Sequence, residues 1–267
     1  MIKNSLKRIY FALADWSLTA ANRQVNRLDL IKELEKIVPD ITDQYTTWSI
    51  KDTNSFDARK IRSIHAFQVS IVMRALEEEL GSRDAKTINI ADIGDSAGTH
   101  SKYIHELSAR LGVRIDMLSI NMDRSAVEKI RMKGGRAIES KAEDVHKSRD
   151  LDREVDIFLS FQMLEHLLNP ALFMHDLAVK TETEVFVVTV PYVKKSRVGL
   201  KYLRCPKHTS KFEKINAENT HILELSPEDW RLLLMFSGWK VSYEERFLMY
   251  PTMSPLYFFK YPLRHYD

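Results

Sequence analysis

The stretch Ile88-Asn-Ile-Ala-Asp-Ile-Gly-Asp-Ser-Ala-Gly-Thr-His100 decides the fold. Residues 87–93 are apolar and rich in β-branched side chains, the composition of a short buried strand. They run into Gly94-Asp95-Ser96-Ala97-Gly98, a turn with glycine at both ends. Residues 101–111 then resume a helical spacing through Tyr103, Ile104, Leu107 and Leu111. Strand, glycine turn and helix bring backbone N–H groups up to a nucleotide-like ligand. Glycine is suited to the ends of such a turn because a Cβ would block close approach or forbid the backbone angles. The chain has only eight glycines, so two in one turn are a pointed use of a scarce residue. The dinucleotide pattern G-x-G-x-x-G does not fit, since neither Ser96 nor Ala97 is glycine.

Downstream, strands are predicted at 114–120, 136–139, 156–160 and 184–190, with two more at 239–246 and 256–261. Helices fall between them: 123–133 with Asp123 as N-cap, 170–180 with Asn169 as cap, and one opening at Ser226-Pro227-Glu228-Asp229. This alternation predicts an α/β fold, a doubly wound, mostly parallel, seven-stranded sheet. Ligands in such sheets bind at the carboxyl ends of the strands, where the strand order reverses. Upstream, residues 1–80 read as mostly helical, with helices at 28–38 and 57–80 and a loop at 44–53. Ile2, Leu6, Ile9, Leu13 and Trp16 form an amphipathic stripe, expected to pack on the main domain as a lid. Its alternative use is a membrane surface contact through residues 1–20, with Lys3, Lys7 and Arg8 meeting anionic headgroups. A boundary at 81–84 divides the chain into a helical cap, 1–83, and the main domain, 84–267.

A chain of 267 residues with 44% hydrophobic and 29% charged content can bury a substantial core. The net charge of +3 is too small to demand a polyanionic partner. The single cysteine, Cys205, excludes an intrachain disulfide and a multi-cysteine zinc site, and no metal is expected. Low cysteine usage fits a reducing compartment, so the expected location is cytoplasmic, with the membrane-peripheral alternative above. No apolar run approaches the roughly 20 residues of a bilayer span. The run at 9–14 is too short, and too soon interrupted by Asp15, for a signal peptide.

An acidic residue ending the first strand, followed by Gly-x-x-x-Gly, resembles the first motif of class I S-adenosylmethionine-dependent methyltransferases. Here these are Asp92, Gly94 and Gly98, with Ser96 where many members carry a further glycine. Ser160-Phe-Gln-Met-Leu-Glu-His-Leu-Leu-Asn-Pro170 resembles the S-x-x-x-L-E-H-L-x-x-P stretch of the small-molecule O-methyltransferases, the group that includes the ubiquinone-pathway enzymes. Thr189-Val190-Pro191, Thr220-His221-Ile222 and Leu225-Ser226-Pro227-Glu228-Asp229-Trp230 are also typical of that group. The resemblance implies S-adenosylmethionine as cofactor, bordered by Asp92, Gly94, Ser96, Gly98 and Gln162. Asn121 stands where the family has the ribose-binding acid, so that role falls to Asn121 or to Asp123, with Met122 between them. Glu143 or Asp144 would receive the adenine amino group.

Methyl transfer is an in-line attack on a sulfonium-bound methyl, so positioning supplies most of the acceleration. A hydroxyl acceptor benefits from a base, and histidine is suited near neutral pH. His166 is the first candidate and His221 the rival; His65, alone on a helix, has a structural use as its ordinary reading. Glu165 is expected to orient its loop. Residues 193–214 carry Lys194, Lys195, Arg197, Lys201, Arg204, Lys207, Lys211 and Lys214 against the single acid Glu213. In the resembled family this segment walls the acceptor site, so Tyr192, Lys194, Lys195 and Arg197, with His166, are the expected substrate contacts. Its positive field points to a small anionic metabolite, sugar or lipid precursor methylated on oxygen. Two other classes stay open: an RNA-modifying enzyme using the basic segment with Tyr202 and Phe212, and a non-catalytic binding module that keeps the fold. Against base methylation, the chain lacks an N/D-P-P-Y tetrapeptide.

Overall fold

β1 (Thr87–Ile93) lies at the centre of a sheet with β2 (Arg114–Asn121), β3 (Arg136–Glu139), β4 (Ile157–Phe161) and β5 (Val185–Thr189). The order is β3-β2-β1-β4-β5 and every pairing is parallel. The chain winds outward from β1 through β2 to β3, then crosses to the other side for β4 and β5. The order therefore reverses between β1 and β4, and the crevice beyond their carboxyl ends is where such a sheet takes a ligand. This is a computed structural model; it describes residues 2–46, 49–80, 87–148, 151, 154–199, 220–247 and 265–266, with backbone alone at 2–8, 79, 80, 265 and 266.

Successive side chains of a strand point to opposite faces, and here both faces are covered. Ile88 and Ile90 pack with Ile115, Met117, Ile157 and Leu159 under α3 (Phe56–Leu80) and α4 (Thr99–Ala109), which supply Val72, Leu76 and Ile104. Ala91 and Ile93 pack with Leu118, Ile120 and Phe158 on the other face. That face is closed by Phe173, Met174 and Leu177 of α6 (Pro170–Lys180) and by Trp230 of α7 (Pro227–Phe236). Two-sided burial is why consecutive residues Ile90, Ala91, Asp92 and Ile93 of β1 are all buried rather than alternately so. α5 (Arg124–Met132) packs Val127 and Ile130 on Ala137 of β3.

The predicted caps form. Asp123 Oδ1 accepts from Ser125 N at 2.8 Å, Asn169 Oδ1 from Leu172 N at 3.1 Å, and Ser226 Oγ from Asp229 N at 3.2 Å. Each stabilises its helix by about 1 kcal/mol.

Two expectations are corrected. The sheet has five strands among the described residues, not seven. Residues 239–246 make no ladder; the segment is held by side chains, Trp239 Nε1 donating to Met174 O at 2.8 Å and Glu244 pairing with Arg231 and Arg246. Ser242, Tyr243, Glu244 and Arg246 are exposed, so the segment has no buried face of the kind that a sheet strand needs. Residues 256–261 lie outside the described residues. Short antiparallel pairs occur elsewhere: β6 (Pro191–Tyr192) with β9 (His265–Tyr266), and β7 (Arg197–Val198) with β8 (Leu223–Glu224).

The second correction concerns α1 (Ile2–Gln24). The described part of its apolar stripe is not the docking face: Ile9 is 58%, Leu13 46% and Trp16 63% exposed. The opposite face is buried, through Ala14, Ser17, Leu18 and Asn22. Leu18 packs on Phe67 of α3 and on Phe247, and Asn22 Nδ2 donates to Ser63 Oγ at 3.0 Å. Small residues on that face let the two helix backbones approach, and Arg59 binds Asp15 at 2.6 Å beside them. α2 (Leu28–Ile37) buries Leu34 against Ala66 and Val69 of α3 and Tyr103 of α4. The predicted boundary at 81–84 lies outside the described residues.

Candidate functional site

The glycine turn sits at the carboxyl end of β1, with Gly94 N donating to Ile120 O of β2 at 2.8 Å. Gly94 has φ +97°, and a Cβ there would meet Met163 Cγ at 3.0 Å, so both angle and space require glycine. Gly98 has φ +69° and is the residue from which α4 starts. Between them Asp95, which sequence reasoning passed over, organises the loop. Its Oδ1 accepts from Ala97 N at 3.1 Å and Gly98 N at 2.9 Å, and its Oδ2 from Ser119 Oγ at 2.6 Å. An aspartate two residues before a turn's backbone N–H is the signal that would have found it.

A second unanticipated contributor is Gln44, in the segment before α3. Its Oε1 accepts from Thr99 Oγ1 at 2.8 Å, and its carbonyl accepts from Ser96 Oγ at 2.7 Å. Lys133 Nζ joins the same corner, donating to Ala97 O at 3.1 Å and pairing with Asp43 at 2.7 Å. The N-terminal layer is thus fastened to the turn by Ser96 and Thr99 through Gln44 and by Lys133 through Asp43.

Asn121 ties two loops together through its amide: Nδ2 donates to Asp95 O of the turn after β1 at 2.9 Å, and Oδ1 accepts from Asp123 N after β2 at 2.8 Å. Asp123 caps α5, and Met122 stands 58% exposed at the rim between them. Glu143 and Asp144 are exposed on the 3-10 turn Ala142–Lys147, with Asp144 bound to Lys147 at 2.7 Å. Across the crevice, Gln162 follows β4 with φ +54°, a left-handed conformation costing a non-glycine residue about 1 kcal/mol or more. It is held there by Gln162 N donating to Thr189 O at 2.8 Å.

Asp92 is buried beneath the turn, and its Oδ2 has no hydrogen-bond partner among the described residues. Burial and the nearby Asp95 push its carboxyl well above the usual range. Its neighbour His100 donates from Nε2 to Gln68 Oε1 at 2.9 Å, which fixes the neutral tautomer, and burial pulls its pKa down to about 4. His65 packs edge-on against His100 with ring centroids 4.8 Å apart, and burial holds it well below the ordinary imidazole value. His65 is therefore a neutral packing residue, its ring against His100 and Tyr103.

A second polar cluster follows β4, in the short 3-10 turn Leu164–His166. Glu165 is fully buried, and its carbonyl accepts from Ile222 N at 2.7 Å, which registers the segment beginning at Thr220 against this turn. His166 and His221, far apart in sequence, are thereby brought together with ring centroids 5.0 Å apart and planes at 85°. Tyr192 is buried in the core cluster beside Trp230, Lys194 and Lys195 are exposed, and Arg197 pairs with Glu224 across β7–β8. Lys201, Arg204, Lys207, Lys211 and Lys214, with Tyr202 and Phe212, lie outside the described residues.

No protein-family model matches the chain, and no curated protein matches its sequence. Solved structures do. The carbon methyltransferase CurJ aligns with a TM-score of 0.54 at 11% identity, over 79% of this chain and 54% of its own. An arsenic(III) S-adenosylmethionine methyltransferase from Chlamydomonas reinhardtii aligns at 0.47 and 15%, over 67% and 61%. The N-terminal domain of EvdMO1, solved with SAH bound, aligns at 0.44 and 11%, over 79% and 87%. At 11% identity the likeness to CurJ speaks to architecture alone. The fold of this chain is the Rossmann-like one of the class I methyltransferases, with five parallel strands in view.

Proposed function

We propose that this chain transfers a methyl group from S-adenosylmethionine to an oxygen of a small anionic acceptor. The observation that carries the reading is the glycine turn at the point where strand order reverses, with the buried Asp92 Oδ2 beneath it lacking a hydrogen-bond partner. That oxygen suits the cofactor's amino group: a cation there would satisfy it and restore its charge. The backbone of the Asp95-ordered turn, with Gly94 open to close approach, suits the nucleoside side of the same molecule. When bound, the cofactor supplies an activated methyl on a positive sulfur.

The chain's own residues then position and deprotonate. Gln162, locked left-handed at the end of β4, borders the crevice. His166 and His221 face each other next along the chain's path, where an acceptor hydroxyl can lose its proton. The exposed Lys194 and Lys195, which follow the buried Tyr192 in sequence, support an anionic acceptor as the charge such a segment would attract. The uncovered stripe Ile9, Leu13 and Trp16, behind the basic residues Lys3, Lys7 and Arg8, supports a peripheral membrane contact as the way such an acceptor is met.

The test is transfer of labelled methyl from S-adenosylmethionine to panels of sugar, lipid-precursor and quinol acceptors, alongside RNA. The expected result is labelling of one anionic hydroxyl class, lowered about 10²–10⁴-fold in His166→Ala with cofactor affinity unchanged. Labelling of RNA alone, or of none of the acceptors by a chain that binds no cofactor, would overturn it.

A further inference from the structure

Asp92 Oδ2 is buried without a hydrogen-bond partner among the described residues, although an imidazole stands beside it: His100 Nδ1 is 3.8 Å away. That separation is too long for a hydrogen bond, yet a shift of about 1 Å would make one if Nδ1 carried a proton. A neutral imidazole has a single N–H, on one nitrogen or the other. Which nitrogen holds it is decided on the opposite side of the ring, by α3.

Gln68 of α3 is buried and has both ends of its amide engaged. Its Oε1 is 2.9 Å from His100 Nε2, and its Nε2 donates to Thr189 Oγ1, at the end of β5, at 3.1 Å. An amide oxygen only accepts, so the proton of His100 sits on Nε2 and Nδ1 keeps a lone pair. A lone pair gives the Asp92 oxygen nothing to accept. His65 packs edge-on against the same ring and Phe161 tilts against it, each with centroids 4.8 Å away, so the imidazole is held in place as well as in tautomer. Burial keeps it neutral, with its pKa drawn down to about 4.

We propose that Gln68 is a positioning residue: by taking the one N–H of His100, it keeps Asp92 Oδ2 open for the ammonium group of an amino-acid-bearing ligand. Were the proton on Nδ1 instead, His100 would close on Asp92, and an entering ammonium would have to displace that bond. Naming S-adenosylmethionine as the ligand rests on the methyl-transfer reading, whereas the tautomer does not. The same amide reaches the other side of the crevice, because its second partner, Thr189, holds Gln162 N on its carbonyl at 2.8 Å.

Nitrogen NMR of the histidine rings reads the tautomer in the full chain without ligand, with the His100 signal assigned by its loss in His100→Phe. The wild type should show Nε2 protonated. Gln68→Met, which keeps the side-chain length and removes both hydrogen bonds, should move the proton to Nδ1. Calorimetry with S-adenosylmethionine should then show affinity lowered by at least about tenfold. In a His100→Phe background no ring proton competes for Asp92, so Gln68→Met should change affinity by less than about twofold. A packing role for Gln68 would cost the same in both backgrounds. Circular dichroism checks folding, and Gln68→Asn, one methylene shorter, replaces Gln68→Met if that variant is unfolded. A proton on Nδ1 in the wild type, an unmoved proton or unchanged affinity in the variant, or equal losses in both backgrounds would overturn the proposal. A wild type with the expected tautomer that binds no S-adenosylmethionine would remove the methyl-transfer reading and leave the control of His100 by Gln68 standing.

Discussion

Asp95 holds the backbone N–H groups of Ala97 and Gly98 with one oxygen and Ser119 Oγ with the other, so its loss opens the turn from within. Asp95→Ala should lower stability by about 1–3 kcal/mol, the cost of leaving such donors without acceptors, as read by urea denaturation. Asn121→Asp should also destabilise, because it removes the donor to Asp95 O and sets a carboxylate against that carbonyl. Acid sensitivity belongs to this corner as well. His100 has its pKa pulled from 6.5 to about 4, so the stability it contributes is complete above about pH 6.5 and is lost as pH falls toward 4. Asp92, pushed upward, works in the opposite sense, contributing at low pH and fading as pH rises through its folded value. His100→Gln should therefore lose less stability than the wild type between about pH 7 and about pH 4.5, measured by denaturant midpoints. The sequence revealed Gly94, Gly98 and the cap of Asp123, because local backbone needs are written in local residue types. The links from Gln44 to Thr99 and from Gln68 to His100 join residues far apart along the chain, and no spacing rule encodes them.

The helices separate what a periodic pattern shows from what it leaves open. The stripe on α1 was legible, but a stripe states only that a face is apolar, not that it is covered. The docking face was chosen by small residues and by the Arg59–Asp15 pair, which a hydrophobic pattern overlooks. Trp16→Ala should change folding stability by no more than about 0.5 kcal/mol, the usual limit for an exposed position. Leu18→Ala, on the buried face, should cost about 2–5 kcal/mol in the same urea titration. Replacing Ile9, Leu13 and Trp16 together with serine should abolish flotation with anionic vesicles if that stripe meets a membrane, and unchanged flotation would remove the contact. Residues 239–246 fail as a strand for a related reason: their β-prone composition has no neighbouring apolar face to pair with.

Across the whole molecule, parallel winding places the carboxyl ends of β1 and β4 side by side, and each side of the crevice carries a different set of polar groups. On one side lie Asp92, the Asp95-ordered turn and Asn121; on the other, Gln162 and the Glu165–His166–His221 cluster. The crossover was legible from alternating strands and helices, whereas the meeting of residue 166 with residue 221 depends on Ile222 N binding Glu165 O and appears only in three dimensions. Calorimetric titration of the purified chain with S-adenosylmethionine tests the central claim most directly. One molecule should bind per chain, and Gly94→Ala, which forces a Cβ toward Met163 at φ +97°, should weaken binding by at least about tenfold while the chain stays folded. Absence of binding by the wild-type chain, or equal binding by Gly94→Ala, would contradict the account.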